Sequence, residues 1–230
     1  MDFQRGIILN FDKPPGWTSF DVVRTIRSLT RARRVGHSGT LDPMAVGVLL
    51  ICTGKATKRV AELQELEKEY EAEVQLGFET DSLDLSGSII ATSRVPERWD
   101  LRLPEVLQKF VGEIMQIPPM VSALKHDGKP LYKLARKGLQ IPLEPRLIRI
   151  NGIELLACQA DRFRIRVRCS KGTYVRSLAR DIAVQLGTKG TLAALIRTRI
   201  GPYTRKDAWT IAAFQRFATE LEPRLLSRSA

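Results

Sequence analysis

The stretch from Val35 to Lys58, VGHSGTLDPMAVGVLLICTGKATK, holds the residues best suited to chemistry. Asp42 stands beside Pro43 in a loop of small residues, after a basic run (Arg31, Arg33, Arg34) and before an apolar segment. Glycine lets backbone come close to a bulky ligand, so this loop can present a carboxylate at the edge of something buried. A carboxylate so placed serves as a nucleophile or as a general base. Asp-Pro is also a good pair for opening a turn or helix, with the aspartate capping backbone N–H groups. The glycines and the arginine cluster shift the balance toward the chemical role.

Other side chains join it. His37 could act as a general base, a metal ligand, or a flat ring laid against a base or ribose; with no partners at ligand spacing, packing or stacking is preferred. Tyr70 falls on the core side of an alternating segment. Tyr174 and Arg176, in SKGTYVRSLARD, stand at the entrance of a predicted helix whose apolar stripe excludes the arginine. An arginine paired with Asp42 in a cleft would keep the carboxyl ionised and fixed. Arg162, Arg164, Arg166 and Arg168 share the polar face of one predicted strand, a pattern suited to phosphate contacts. Lys58 is placed in the first turn of a helix expected from about Ala56 to Leu66. No Walker or GxGxxG pattern is present, which disfavours ATP binding.

These residues need a frame. Gly6 to Phe11 reads as a buried strand, and Thr18 with Asp21 as a capping box opening a helix from Ser19 to about Leu29. Val46 to Gly54 reads as a second buried strand. Between Glu69 and Phe78 the apolar residues Tyr70, Ala72, Val74, Leu76 and Phe78 alternate with polar ones, the mark of a half-buried strand. A strand near Ile89 follows, then a helix from about Pro104 to Val111, stopped by Gly112. Phe163 to Cys169 alternates again, and Val175, Leu178, Ile182 and Leu186 form a helical stripe stopped by Gly187. A helix or strand pair follows Trp209. Strands and helices alternate too irregularly for a doubly wound sheet, so the expected fold is α+β, with a mixed, mainly antiparallel sheet in one domain spanning 1–230.

Composition narrows the partners. The 230 residues carry a net charge of +12 and a pI near 10.0, more than solubility requires, so a polyanionic partner is the natural inference, nucleic acid ahead of an anionic membrane. Cys52, Cys158 and Cys169 are scattered beside apolar residues, as reduced core thiols would be. No cysteine stands at ligand spacing from His37 or His126, so no zinc site is expected. The longest apolar run, Met44 to Cys52, is too short to span a bilayer, and the N-terminus lacks the shape of a signal peptide. A cytoplasmic protein without membrane contact is expected.

Five segments, in order, resemble the tRNA pseudouridine-55 synthases of the TruB type: DKPPGWTSFDVV (Asp12 to Val23), Val35 to Lys58, KEYEAEVQLGFETDSLDLSG (Lys68 to Gly87), IPPMVSALKHDGKPLYKLARKG (Ile117 to Gly138) and CSKGTYVRSLARDIAVQLG (Cys169 to Gly187). The resemblance implies the pseudouridine synthase fold around a catalytic cleft, and an isomerase acting on uridine 55 in the T-loop of tRNA. It implies no cofactor and no metal. The family's catalytic aspartate falls on Asp42, its active-site tyrosine on Tyr70, and the arginine that pairs with the aspartate on Arg176, beside Tyr174. Its histidine, which fills space opened in the T-loop, falls on His37, and a leucine lining the base pocket on Leu195. Asp42 would attack sugar or base, or start elimination to a glycal, on a uridine flipped out of its stack.

Many relatives of this type carry a C-terminal PUA domain, which is not expected here. The family's frequent histidine after the serine of KPxGxTS is Phe20, and its frequent tyrosine before SA is Val121. A monomer binding the T-arm stem-loop is expected. The rival readings are a non-catalytic basic RNA-binding or assembly protein, and a synthase of the same fold acting on another RNA.

Overall fold

The computed structural model describes residues 2–226 apart from 123, 127, 136 and 140. Two units emerge, Met1–Glu69 with Ile196–Ala230, and Tyr70–Leu195.

In the first unit the chain runs β1 (Ile8–Lys13), α1 (Ser19–Thr30), β2 (Val35–Ser38), β3 (Val46–Thr53), a 3-10 helix (Gly54–Arg59) and α2 (Val60–Glu65), then enters β4 (Lys68–Leu76). α1 starts where the capping box predicts: the Thr18 side chain accepts from the Asp21 N–H, and the Asp21 carboxylate accepts from Thr18 N–H. β3 pairs antiparallel with β1, from Ile8 opposite Cys52 to Lys13 opposite Gly47, and with β2, from Val35 opposite Thr53 to Ser38 opposite Leu50. Both faces of β3 are buried. Leu49 and Ile51 pack with Phe11, Val22, Ile26 and Phe214, while Val48, Leu50 and Cys52 pack with Leu63 and Ile200. That double burial explains why β3 reads as an unbroken apolar run rather than an alternation.

The second unit continues with β5 (Phe78–Thr80), β6 (Ile89–Thr92), α3 (Trp99–Gln108), β7 (Gly112–Gln116), β8 (Lys125–His126), β9 (Lys129–Pro130), α4 (Leu131–Ala135), β10 (Arg146–Gln159), β11 (Arg162–Cys169), α5 (Val175–Leu186) and β12 (Gly190–Ile200). Its strands order as β4-β11-β10-β7, with β10 antiparallel to both β11 and β7. The last residues of β12 return to the first unit, where Ile196 and Arg197 run parallel to Val46 and Gly47 of β3. There β13 (Tyr203–Thr204) and α6 (Ile211–Leu226) complete the chain's elements. The fold is mixed, with a mainly antiparallel sheet and flanking helices, as expected.

Four expectations need correcting. α3 begins at Trp99, not at Pro104, because Trp99, Leu103, Val106 and Leu107 make one buried stripe; Pro104 sits inside the helix and forgoes the bond its nitrogen would make one turn back. Gly112 ends no helix but opens β7, which pairs with β10 from Gly112 opposite Ile150 to Gln116 opposite Arg146. Lys58 lies in the 3-10 helix that precedes α2. Cys158 is exposed, although Cys52 and Cys169 are buried.

Candidate active site

Asp42 is half-buried on the turn between β2 and β3, and that turn is fastened from several sides. Ser19, buried at the start of α1, donates from Oγ to the Leu41 carbonyl (3.2 Å) and accepts from the Leu41 N–H (2.9 Å). Gly16 N–H donates to the Pro43 carbonyl (2.9 Å), and Ala45 N–H to that of Asp42 (3.0 Å). Arg197, only 1% exposed, reaches under the turn. Its Nε donates to the Val48 carbonyl (2.6 Å), Nη2 to that of Gly39 (3.0 Å) and Nη1 to that of Thr40 (3.4 Å). The strand carrying Arg197 runs so close that a Cβ on Gly47, whose φ is +105°, would stand 2.2 Å from the Arg197 carbonyl oxygen.

A second buried cation completes the surroundings. Lys13 ends β1 fully buried, and its ammonium donates to the carbonyls of Trp17 (2.6 Å), Pro14 (2.9 Å) and Pro43 (3.3 Å). Burial lowers its pKa to about 8, against the pull of the Asp42 carboxylate, while Arg197 pushes it further down. Carbonyl dipoles hold both cations, and each lies in the electrostatic reach of the other and of the turn.

His37, half-buried on β2, has its pKa lowered, first by burial and then by the positive Arg197. The ring is therefore neutral at pH 7. Its Nδ1 is buried with no hydrogen-bond partner among the described residues, which suits a ring that packs or stacks. Lys58 is exposed.

The remaining candidates belong to the second unit. Tyr70 is 8% exposed on the core side of β4, as its alternation predicts. Arg176, in the first turn of α5, is buried, although the helical stripe excludes it. It donates from Nη1 to the Ser82 carbonyl (2.7 Å) and from Nη2 to the Val121 carbonyl (2.8 Å), and Nε lies 3.8 Å from the Asp84 carboxylate. Asp84 is itself held by Ser82 Oγ (2.8 Å) and Ser86 N–H (2.9 Å). The buried Gln116 side chain clasps the Tyr174 backbone, accepting from its N–H (2.8 Å) and donating to its carbonyl (3.1 Å), and so sets the entrance of α5. Leu195 is buried in β12.

Three of the four arginines of β11 face carboxylates. Arg162 meets Glu73 (3.0 Å) and also donates to Gln75; Arg164 meets Glu71 (3.5 Å); Arg166 meets both Glu71 (2.9 Å) and Glu154 (2.7 Å). The acids are the polar face of β4 and a residue of β10. Arg168 lies opposite Gly152.

Sequence reasoning passed over Lys13, Arg197, Asp84, Gln116 and Ser19. Lys13 carried a faint signal, a lysine closing a buried strand before Pro-Pro-Gly; for Arg197 the signal was a basic residue alternating with apolar ones in LIRTRIG. Among the described residues no cluster of three or more His, Cys, Asp or Glu side chains is placed to hold a metal ion.

A carboxylate on a glycine-rich turn, stiffened by buried cations and carried by a mixed, mainly antiparallel sheet, places the molecule among the pseudouridine synthases. Comparison with solved structures agrees. A chain of a Cbf5–Nop10–Gar1 complex superimposes with a TM-score of 0.75 at 31% identity, over 96% of this chain and 57% of that one. A chain of an H/ACA RNP bound to a substrate RNA containing 2′-deoxyuridine does so with a TM-score of 0.72 at 29% identity, over 97% and 56%. This chain thus spans somewhat more than half of either. Residues 27–175 match the N-terminal domain of the TruB family pseudouridylate synthases, and residues 176–228 the C-terminal domain of tRNA pseudouridylate synthase B. Among curated relatives, the tRNA pseudouridine synthase B of Phocaeicola vulgatus is 47% identical over 96% of this chain and 97% of its own. That of Bacteroides fragilis is 50% identical over 87% and 89%, and that of Francisella philomiragia 52% identical over 88% and 67%. The chain belongs to the TruB family of pseudouridylate synthases and is an isomerase.

Proposed function

We propose that this enzyme converts uridine 55 in the T-loop of tRNA to pseudouridine, acting as a cytoplasmic monomer on the T-arm stem-loop. The observation that carries the chemistry is the Asp42 turn, fastened by Ser19 and Arg197 and electrostatically coupled to Lys13. The choice of tRNA is supported by the relatives' names. The reaction breaks the bond from N1 to C1′, turns the uracil and joins C5 to C1′; C5 gives up its proton and N1 ends protonated, so atoms balance with no redox step.

Asp42 carries the step, as nucleophile on sugar or base or as the base that starts elimination to a glycal. A buried cation lowers the cost of keeping a nearby carboxylate charged, and a braced turn lowers the cost of reorganisation in the transition state. Tyr70 stacks on the flipped uracil and Leu195 lines its pocket. Arg176, with Tyr174 beside it, is the arginine that the family resemblance pairs with the catalytic aspartate. His37 occupies the space vacated in the RNA loop, a role suited to a neutral ring. Flipping costs a few kcal/mol, offset by stacking and phosphate contacts.

Tritium release from C5-tritiated uridine in a T-arm transcript tests the reading, with no metal or nucleotide added. Wild type should release tritium, while Asp42→Asn should bind the RNA with little loss and release none. Tight binding without release by wild type would move the assignment to a non-catalytic RNA-binding protein, and release from ribosomal RNA fragments alone would move it to another RNA.

A further inference from the structure

The charge of the first unit is not spread evenly. Arg33, Arg34, Lys55 and Lys58, together with Gln4 and Gly54, line a pocket of about 450 Å³. No acidic side chain lines it. None of the four cations has a carboxylate within ion-pair distance among the described residues, whereas Arg5, Arg24, Arg59, Arg94 and the first three arginines of β11 each have one. Four like charges converging without counter-charge repel one another, and a fold that keeps them together is stabilised by an anion that enters.

The convergence is built by hydrogen bonds to backbone, from the Gln4 side chain and from Gly54. Gln4 donates from Nε2 to the Arg31 carbonyl (3.0 Å) and accepts through Oε1 from the Arg33 N–H (3.3 Å), which pins the turn before β2. Gly54 N–H donates to the Arg34 carbonyl (2.8 Å), tying that turn to the end of β3. The N-terminal segment then lies directly on the 3-10 helix: a Cβ on Gly54 would meet the Gln4 carbonyl at 2.2 Å, and one on Gly6 the Ala56 nitrogen at 2.4 Å. Both glycines also have positive φ, so neither position accepts a side chain without movement.

The pocket's place relative to Asp42 follows from the β2–β3 ladder. Val35 is opposite Thr53 at one end, next to Arg34 and Gly54; Ser38 is opposite Leu50 at the other, next to the turn that carries Asp42. The strand β2, about 10 Å from Val35 to Ser38, lies between the two, the length of a short stretch of RNA backbone. We infer that this pocket is a phosphodiester-binding site, where Arg33, Arg34, Lys55 and Lys58 grip the backbone flanking the target uridine and so set its register on Asp42. The inference rests on the RNA-modifying reading above. Phosphate contacts of this kind fix position without reading bases.

Anisotropy of a labelled T-arm stem-loop, titrated across a range of KCl concentrations, tests it. Arg34→Gln and Lys55→Gln should each reduce the magnitude of the slope of log K against log salt by about 0.7 to 0.9, and each should weaken binding about five- to eight-fold at 0.1 M salt. The Arg33→Gln/Arg34→Gln/Lys55→Gln triple variant should lose about two to three units of slope, while Arg94→Gln, whose partner is the exposed Glu97, should leave it unchanged. A triple variant with wild-type slope and affinity overturns the inference. So does a micromolar site for inorganic pyrophosphate, seen by calorimetry on wild type and abolished in the triple variant, since it gives the pocket to a free anion. Tritium release by wild type, scored in parallel, keeps the two readings apart: release with an unchanged triple-variant slope sinks the pocket alone, and no release with a reduced slope sinks the tRNA isomerase alone.

Discussion

Lys13 shows how a residue that looks incidental in sequence can end up buried beside a candidate site. Three carbonyls take its ammonium out of water, and burial lowers its pKa from 10.5 to about 8 despite Asp42. Below pH 8 folded and unfolded chains both hold the proton, and the desolvation cost weighs on folding in full. Between about 8 and 10.5 the unfolded chain still holds it while the folded chain has released it, so this group's contribution makes unfolding harder as pH rises. Urea unfolding of wild type and Lys13→Met should therefore show a stability difference that moves in favour of wild type from pH 7 to pH 10. A difference flat across that range would mean the folded-state pKa is not depressed. Asp42 could be singled out from its setting of glycines and arginines. Lys13 and Arg197 could not, because a cation near the end of a strand ordinarily reads as solvated; the carbonyls that hold Arg197 all come from a distant segment, and those of Pro14 and Trp17 close on Lys13 only because distant Pro43 is folded against them.

Elements were legible where a local rule decides them. The capping box starts α1, alternation marks β4 and β11, and Gly187 closes α5 with φ +85°. Where tertiary packing decides, local reading failed: the buried stripe of α3 outweighs the helix-start preference of Pro104, and β7 exists because β10 pairs with it. The β2–β3 turn carries Asp42, the proposed catalytic residue, and its weak point is steric. At Gly47 the φ of +105° and the 2.2 Å approach of the Arg197 carbonyl to a hypothetical Cβ both exclude a side chain. Gly47→Ala should cost at least about 2 kcal/mol in urea unfolding and should lower tritium release beyond what unfolding explains, because the displaced strand carries the arginine that holds Gly39 and Thr40. Wild-type stability and turnover in this variant would show that the close approach is not maintained in solution.

Across the whole molecule, the net charge of +12 pointed to a polyanion but could not show where it binds. Pairing determines that, and pairing is a property of neighbouring strands. In sequence the arginine face of β11 suited phosphate contacts, yet Glu71 and Glu73 of β4 meet Arg162, Arg164 and Arg166 side by side. Such exposed pairs add little to stability, typically under about 1 kcal/mol each, but they cancel the field that a phosphate would feel. Arg33, Arg34, Lys55 and Lys58 keep theirs. Arg164→Gln should consequently change the salt slope of T-arm binding by far less than the roughly 0.7 to 0.9 expected when a cation that holds a phosphate is removed. Glu71→Gln, which frees Arg164 and Arg166 from one shared partner, should leave turnover unchanged. A drop of a full unit of slope in Arg164→Gln would instead mean that RNA displaces Glu71, and that the β11 arginines exchange one anion for another when substrate arrives.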